Sequence, residues 1–164
     1  MSECVDTEPA FHLLFLCTGN ACRSQMAEGW ARHLLAVNGL DKGERPITVH
    51  SAGIEAHGVN PLAVKTMAAA NIDISAQTSK TLTADLIEKI DLVVSLCGHA
   101  NENCPVFPKK TEHIHWPLSD PAKASGSAAA IEAVFRASSL EIKSRILGLI
   151  ENLQVQLRKK QMSY

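Results

Sequence analysis

The chain has 164 residues, 46% of them hydrophobic and 20% charged, which fits one globular domain and excludes an intrinsically disordered protein. Its 16 Lys and Arg residues against 17 Asp and Glu residues give a formal charge of −1, which excludes the basic surface that binds nucleic acid. No segment approaches the roughly 18 apolar residues of a transmembrane helix, so we expect no membrane partner.

The predicted elements alternate between strands and helices. The apolar runs at 11–16 and 91–96 have the length and continuity of buried parallel strands, whereas the three- and four-residue apolar spacing after residue 26 is helical. In chain order we predict a strand at 11–16, a helix at about 26–37, a strand at 47–50, a helix at about 61–70, a short helix opening at 83–85, a strand at 91–96, a weaker strand within 112–118, and a helix from 127 to about 160.

This order predicts an α/β fold with an open, mostly parallel sheet covered by helices on both faces. We expect residues 1–164 to form a single, monomeric domain, with a flexible N-terminal tail over about residues 1–10. In such sheets the active site lies beyond the carboxyl ends of the strands. Cys17 ends the first strand and Cys97 the third, so the sequence places both in one crevice.

Five cysteines, at positions 4, 17, 22, 97 and 104, are the unusual feature of the composition. They are too sparse and too unevenly spaced for a disulfide-stapled secreted domain. The apolar run at 11–17 follows three acidic residues, whereas a signal peptide carries positive charge there. We therefore expect a cytoplasmic protein with reduced thiols, in which the cysteines serve redox chemistry, nucleophilic catalysis or a metal.

The loop after the first strand has the pattern Cys-x5-Arg-Ser, from Cys17 to Ser24. Backbone N–H groups of a tight loop at a helix N-terminus bind tetrahedral oxyanions, and an arginine offers a bidentate fork to two of their oxygens. The same positive field favours the nucleophilic thiolate of Cys17, and the Ser24 hydroxyl can donate a hydrogen bond to it. We therefore predict an oxyanion-binding loop made of Thr18, Gly19, Asn20, Ala21, Cys22, Arg23 and Ser24.

Two cysteines have no assigned chemistry at this stage. Cys22 lies inside the oxyanion-binding loop, where it is either a resolving thiol for Cys17 or a small residue whose backbone N–H matters. Cys4 lies in the polar N-terminal segment, and we expect no role for it.

Cys97 and Cys104 are separated by six residues. A zinc site with His99 as a third ligand is one interpretation, but zinc sites typically use closer Cys-x2–4-Cys pairs, and we expect no metal here. A second interpretation is a pair of inert core thiols, which suits Cys97 better than Cys104. The third is a redox relay, in which Cys17 forms an adduct, Cys97 attacks it and Cys104 resolves the product.

The spacing of the second pair limits its conformation. A disulfide needs Cα atoms roughly 4.4–6.8 Å apart, whereas seven steps along a continuous helix span about 10 Å. Residues 97–104 must therefore be looped, or must unwind on oxidation. Gly98, Asn101 and Asn103 are poor helix formers, which favours a mobile segment and a redox-driven order–disorder change.

Asp120 follows the fourth predicted strand and precedes Pro121. Pro121 stiffens the loop and holds the carboxyl group over the crevice. Attack on a tetrahedral oxyanion needs a general acid to protonate the leaving oxygen, and we predict that Asp120 is this acid. The alternative is an ordinary turn or cap aspartate.

Four segments together resemble thioredoxin-coupled arsenate reductases, which share the low-molecular-weight protein tyrosine phosphatase fold. They are CTGNACRSQMAEGW at 17–30, SAGIEAHGVNP at 51–61, DLVVSLC with NCP within 91–105, and DPA at 120–122. The resemblance implies a three-layer fold with a four-stranded parallel sheet flanked by helices. It also implies the reaction: Cys17 attacks arsenate while Asp120 protonates the leaving hydroxyl, Cys97 expels arsenite, and Cys104 moves the disulfide outward for thioredoxin to reduce.

The resemblance also suggests a possible cation site, because some members of this family bind potassium beside the loop. Asn20, Glu28 and Ser51 match that site, whereas Lys80 stands where those members have aspartate. We expect the Lys80 ammonium to take the place of the cation and pair with Glu28, which would support the loop without potassium and without any tightly bound cofactor.

Three functions remain open from the sequence. Arsenate reduction uses all the predicted residues, with thioredoxin or alternatively glutaredoxin as electron donor. A low-molecular-weight phosphatase needs Cys17, Arg23 and Asp120 but neither Cys97 nor Cys104. The small residues at 122–126 favour an inorganic oxyanion over the aryl esters of such phosphatases, although weak phosphatase activity is expected. A non-enzymatic oxyanion or redox sensor is the third, and the full set of nucleophile, acid and two relay thiols argues against it.

Overall fold

A computed structural model describes residues 9–162. Most of the predicted N-terminal tail, together with Cys4, lies outside the described residues. The elements are β1 (Phe11–Cys17), α1 (Arg23–Val37), β2 (Ile47–Gly53), α2 (Pro61–Ala69), α3 (Ala84–Lys89), β3 (Leu92–Ser95), α4 (Gly98–Glu102), β4 (Glu112–His115), a 3-10 turn (Pro121–Lys123) and α5 (Ala128–Met162).

The four strands form one sheet in the order β2-β1-β3-β4, and each neighbouring pair is parallel. β1 and β3 are central and buried, as their continuous apolar sequences predict. The register places Cys17 beside Gly53 of β2 and Leu16 beside Ser95 of β3. The predicted α/β fold, with a four-stranded parallel sheet flanked by helices, is confirmed.

The C-terminal helix α5 covers two other helices. α5 runs without a break for 35 residues and packs against α1 and α2. The Trp30 indole N–H of α1 donates to the Ser139 hydroxyl of α5 at 2.9 Å, which satisfies a buried polar pair between the two helices. The packing of α5 extends at least as far as Leu153, which is 3% exposed. No helix in the range 9–162 is long and apolar enough to cross a membrane.

Two elements differ from the sequence prediction. β2 continues to Gly53 instead of ending at residue 50, because its whole length pairs with β1. Residues 98–102 form the short helix α4, so the looped conformation, one of the two predicted alternatives, does not hold for this segment. The Cys97 sulfur accepts a hydrogen bond from the Ala100 N–H at 3.4 Å and so caps α4 at its N-terminus. Unwinding of α4 on oxidation therefore stays a prediction.

Candidate active site

The loop after β1 is shaped by a second segment that wraps around it. Backbone N–H groups of residues 54, 55, 57 and 60 donate to the carbonyl oxygens of residues 17, 18, 19 and 21, at 2.8–3.1 Å. Because the peptide unit is planar and trans, each N–H that follows such a carbonyl points the opposite way. The loop N–H groups therefore face away from the 54–60 segment, which makes them available to an anion.

The close approach of the two segments depends on Gly53. A Cβ atom at this position would lie 2.7 Å from the Thr18 carbonyl oxygen and 2.8 Å from the Asn20 nitrogen, and both are backbone atoms that cannot move aside. Only glycine allows β2 to pass so near the loop. The sequence did not reveal that this segment packs against the loop and shapes it.

Asn20 organises the loop from inside. It is fully buried and has a positive φ of 48°, a conformation that asparagine tolerates better than most residues. Its Oδ1 accepts from the Lys80 N–H at 2.9 Å and from the Gln25 amide at 3.0 Å. A backbone N–H can only donate, so Oδ1 is fixed as the acceptor, and the Nδ2 group must donate on the other side.

The orientation of the Asn20 amide also fixes the direction in which the Ser24 hydroxyl donates its proton. Asn20 Nδ2 donates to Ser24 Oγ at 2.8 Å and to Ser51 Oγ at 3.1 Å. Because Ser24 Oγ accepts from Asn20, its own proton is free for the Cys17 sulfur, which lies 2.8 Å away. This donor stabilises a thiolate in a cysteine that is only 2% exposed.

The side chains of Arg23 and Asp120 lie next to each other. The Arg23 guanidinium donates from Nη1 to the Leu118 carbonyl at 3.1 Å, and its Nη2 lies 3.6 Å from Asp120 Oδ2. The other carboxylate oxygen of Asp120 accepts from the Ala122 N–H at 3.0 Å and caps the 3-10 turn. These contacts hold the predicted oxyanion-binding guanidinium and the predicted acid side by side.

An open crevice of about 850 Å³ joins these groups. The residues that line it come from the loop, from the segment around His57 and Asn60, from the start of α4 and from the 118–123 loop. Cys17, Arg23, Cys97 and Asp120 are all among them. Within the described chain, Cys104 is not part of this lining; it is half-buried and packs against the core.

Cys97 reaches the loop through a side-chain contact. Its sulfur lies 3.1 Å from Thr18 Oγ1, and it is 6% exposed. It also accepts the Ala100 N–H at the N-terminus of α4, so it can accept from the Thr18 hydroxyl as well. From the sequence Thr18 was expected only in the oxyanion-binding loop, because the spacing of residues 18 and 97 does not indicate this side-chain contact.

The remaining thiols differ from Cys17 in their surroundings. Burial, then the nearby Asp120 carboxylate and Cys17, raise the pKa of Cys22 to about 12, so Cys22 is a neutral thiol at neutral pH. Burial also raises the pKa of Cys104. All four cysteines of the described chain are free thiols in this structure.

The predicted ion pair between Lys80 and Glu28 is wrong. The Lys80 ammonium instead donates to the Thr78 carbonyl at 3.2 Å, and the buried Glu28 carboxylate pairs with Arg32 at 3.0 Å. Lys80 supports the loop through its backbone, whose N–H donates to Asn20 Oδ1 and whose carbonyl accepts from the Gly53 N–H at 2.8 Å. The difference arises because Arg32, one helical turn after Glu28, reaches its carboxylate first.

The matching positions do not fit a resident potassium ion. Asn20 Oδ1 already accepts from two donors, and Ser51 Oγ accepts from Asn20. The cavity of about 370 Å³ beside Glu28 is lined by both Arg32 and Lys80, which bring positive charge to the place of a cation. In the part of the chain that the structure describes, no three His, Cys, Asp or Glu side chains are grouped so that they could hold a metal ion.

Comparison with known proteins agrees with this geometry. A family profile described as low molecular weight phosphotyrosine protein phosphatase matches residues 12–161. A curated arsenate reductase from Halalkalibacterium halodurans is 54% identical over 139 residues, which cover 85% of this chain and 94% of the relative.

Two solved structures extend the comparison. An arsenate reductase in the phosphate-binding state has 35% identity and a TM-score of 0.67, and covers 87% of this chain and 98% of its own. A thioredoxin-dependent arsenate reductase from Corynebacterium glutamicum has 27% identity and a TM-score of 0.67, over 91% of this chain and 64% of its own.

Proposed function

The chain belongs to the low-molecular-weight phosphotyrosine protein phosphatase family, and we propose that within it this protein is an arsenate reductase rather than a phosphatase. The observation that carries the proposal is the contact of 3.1 Å between Thr18 Oγ1 and Cys97 Sγ. It places a second thiol in the crevice beside the nucleophile loop. A phosphatase has no use for such a thiol, whereas a reductase needs one to supply electrons.

The first step uses the groups around Cys17. The loop N–H groups and the Arg23 guanidinium bind arsenate, and the Cys17 thiolate attacks the arsenic atom. Asp120 donates a proton to the departing hydroxyl, which leaves as water. The product is an arsenic(V) ester of Cys17, and no electron has yet been transferred. The Ser24 hydroxyl, 2.8 Å from the Cys17 sulfur, keeps the attacking thiolate in place.

The second step reduces the arsenic. The Cys97 thiolate attacks the Cys17 sulfur, a Cys17–Cys97 disulfide forms, and the electron pair of the broken sulfur–arsenic bond stays with arsenic, which leaves as arsenite. The Cys104 thiolate then attacks Cys97, which gives a Cys97–Cys104 disulfide and releases the Cys17 thiolate. Each exchange needs a thiolate attacker and access to the attacked sulfur. The crevice supplies access to Cys97, and unwinding of α4 would bring Cys104 to it.

Thioredoxin is the proposed reductant of the Cys97–Cys104 disulfide, with glutaredoxin as the alternative. Support comes from the similarity to the thioredoxin-dependent enzyme of Corynebacterium glutamicum. In this proposal the protein works as a cytoplasmic monomer, where the thiol pool is kept reduced, and without a tightly bound cofactor. Weak phosphatase activity follows from the shared oxyanion-binding loop.

The test separates the two members of the family by their cysteines. Arsenate-dependent NADPH oxidation is measured with thioredoxin and thioredoxin reductase, and p-nitrophenyl phosphate hydrolysis is measured in parallel. We expect Cys17→Ser to abolish both activities, Cys97→Ser and Cys104→Ser to abolish only the first, and Cys4→Ser to change neither. Arsenate turnover that survives Cys104→Ser would refute the three-thiol relay. Phosphate ester hydrolysis without arsenate turnover in the unmodified protein would establish the phosphatase instead.

A further inference from the structure

A polar cluster lies beneath α4, on the side of β3 and β4. At its centre is Ser95, the last residue of β3, which is fully buried. Its Oγ lies 3.2 Å from Asn101 Oδ1, 3.1 Å from His113 Nε2 and 2.8 Å from His115 Nδ1. None of these four residues belongs to the lining of the crevice, and the reaction proposed above gives them no part.

The three contacts of Ser95 can all be hydrogen bonds at once. A hydroxyl donates one proton and accepts two, and the amide oxygen of Asn101 can only accept. The Ser95 proton therefore points to Asn101, and both imidazoles donate to Ser95 Oγ. Burial, and then the nearby His115, lower the pKa of His113, so the His113 ring is neutral at neutral pH and can carry its single proton on Nε2. The two histidines thus fix the direction in which Ser95 donates.

Asn101 connects this cluster to the helix between the two relay cysteines. α4 has only five residues and begins with glycine, so its own hydrogen bonds cannot keep it folded. Ala100 anchors it by burial, and Asn101 anchors it by the bond to Ser95. The other side-chain amide of the helix end, that of Asn103, bonds back to His99 within the same segment.

We propose that Ser95, held by His113 and His115, is a positioning residue that keeps α4 folded through Asn101 and thereby sets how readily Cys97 and Cys104 form their disulfide. The proposal rests on the relay described above. A continuous helix from residue 97 to 104 would separate the two Cα atoms by about 10 Å, whereas a disulfide needs roughly 4.4–6.8 Å. α4 makes residues 98–102 of this stretch helical, and we expect it to open when the disulfide forms. The Ser95–Asn101 bond is therefore compatible with the dithiol form and is lost when the helix opens.

The direction of the effect follows from this difference. A bond that exists only in the dithiol form stabilises that form and makes the disulfide easier to reduce. Without it, the disulfide becomes more stable relative to the dithiol. We expect Asn101→Ala to shift the equilibrium about three- to tenfold toward the disulfide, which is about 15–30 mV more negative in midpoint potential.

Asn101→Ala also distinguishes the effect of the Ser95–Asn101 hydrogen bond from the effect of helix propensity. Alanine is a better helix former than asparagine, so a change in propensity alone would favour the folded helix and make the potential less negative. Asn101 is exposed, so its substitution leaves the core unchanged. Asn101→Asp keeps an acceptor for the Ser95 proton, so its midpoint potential should equal that of the original protein. Glu102→Ala, at an exposed position of the same helix, is the matched control and should leave the potential unchanged.

The experiment is a redox titration in glutathione buffers, with alkylation and mass spectrometry of the peptide that holds residues 97–104. It is carried out on full-length protein carrying Cys17→Ser and Cys22→Ser, so that neither of the other two crevice thiols can pair with Cys97. A more negative potential in both Asn101→Ala and Ser95→Ala supports the proposal, and an unchanged or less negative potential in Asn101→Ala overturns it. Failure of the disulfide to form in any variant would instead refute the relay itself.

Discussion

Thr18 Oγ1 and Cys97 Sγ lie 3.1 Å apart, although 79 residues separate them in the chain. The contact joins the loop that would bind the oxyanion to the N-terminus of the helix that carries the second thiol. The nucleophile loop and the relay segment are therefore linked directly through side chains. Any change in this bond affects the second chemical step of the proposed reaction more than the first.

Removal of the Thr18 hydroxyl should slow the attack of Cys97 on Cys17. Thr18→Val keeps the shape of the side chain but cannot donate to the sulfur, and a hydrogen bond to a charged group contributes about 1.5–3 kcal/mol. We expect formation of the Cys17–Cys97 disulfide to slow by about tenfold or more in a single turnover with arsenate. Thr18→Ser, which keeps the hydroxyl, should react at nearly the original rate. Equal rates for the valine and serine variants would show that the contact is without effect.

Asn20→Asp should impair Cys17 while the loop keeps its shape. The substitution replaces the Nδ2 donor with an oxygen, so the Ser24 proton turns toward the new carboxylate and away from the Cys17 sulfur. Loss of this donor should lower the rate of Cys17 alkylation by iodoacetamide at neutral pH by about tenfold. Asn20→Ser, which retains a donor, is the comparison variant. A Cys17 alkylation rate in Asn20→Asp equal to that of the original protein would contradict the proposed proton direction.

The stability of the protein should fall on acidification because of a histidine pair between β1 and β2. His12 Nδ1 lies 2.9 Å from His50 Nε2, and burial, followed by the Lys89 charge, lowers the pKa of His50 from 6.5 to about 4. Below pH 6.5 the unfolded chain therefore binds a proton that the folded protein excludes until about pH 4. The free energy of unfolding falls over this window as pH decreases.

We expect protonation of His50 to lower the free energy of unfolding by on the order of 1–2 kcal/mol. The effect is no larger because the imidazole is only half-buried and solvent screens part of it. Urea unfolding at several pH values between neutrality and pH 4 measures it. His50→Gln has no proton to gain, so its stability should depend less on pH across the same window. If the free energy of unfolding depends on pH in the same way in both proteins, groups other than His50 cause the loss of stability in acid.

The elements that bear the predicted chemistry could be recognised from local sequence. β1 and β3 are continuous apolar runs, and because the carboxyl ends of parallel strands meet at one edge, Cys17 and Cys97 were expected in one crevice. The loop was equally evident, since Cys17 and Ser24 are seven residues apart between a strand and a helix. These features depend on contacts that are near in sequence or on general rules for α/β sheets.

The features that the sequence did not reveal depend on the direction in which side chains point. α4 forms although Gly98 and Asn101 are poor helix formers, because Ala100 enters the core and Asn101 bonds to Ser95. The partner of Glu28 was assigned to Lys80 by a match of positions, yet Arg32 is closer along the same helix. Propensity and motif matching do not contain the orientation of side chains, and both errors arise from orientation.

The Glu28–Arg32 pair leads to a prediction about potassium. Arg32 balances the charge of the Glu28 carboxylate, a residue that is 2% exposed, and we therefore expect that the protein needs no cation there. We expect the same melting temperature and the same arsenate turnover in KCl and NaCl of equal concentration. Arg32→Gln leaves Glu28 buried without its partner and should lower the melting temperature, by about 2–4 °C for each kcal/mol lost in a protein of this size. In this variant potassium should recover part of the loss. A melting temperature that rises with potassium but not with sodium in the unmodified protein would show that the cation is needed despite Arg32.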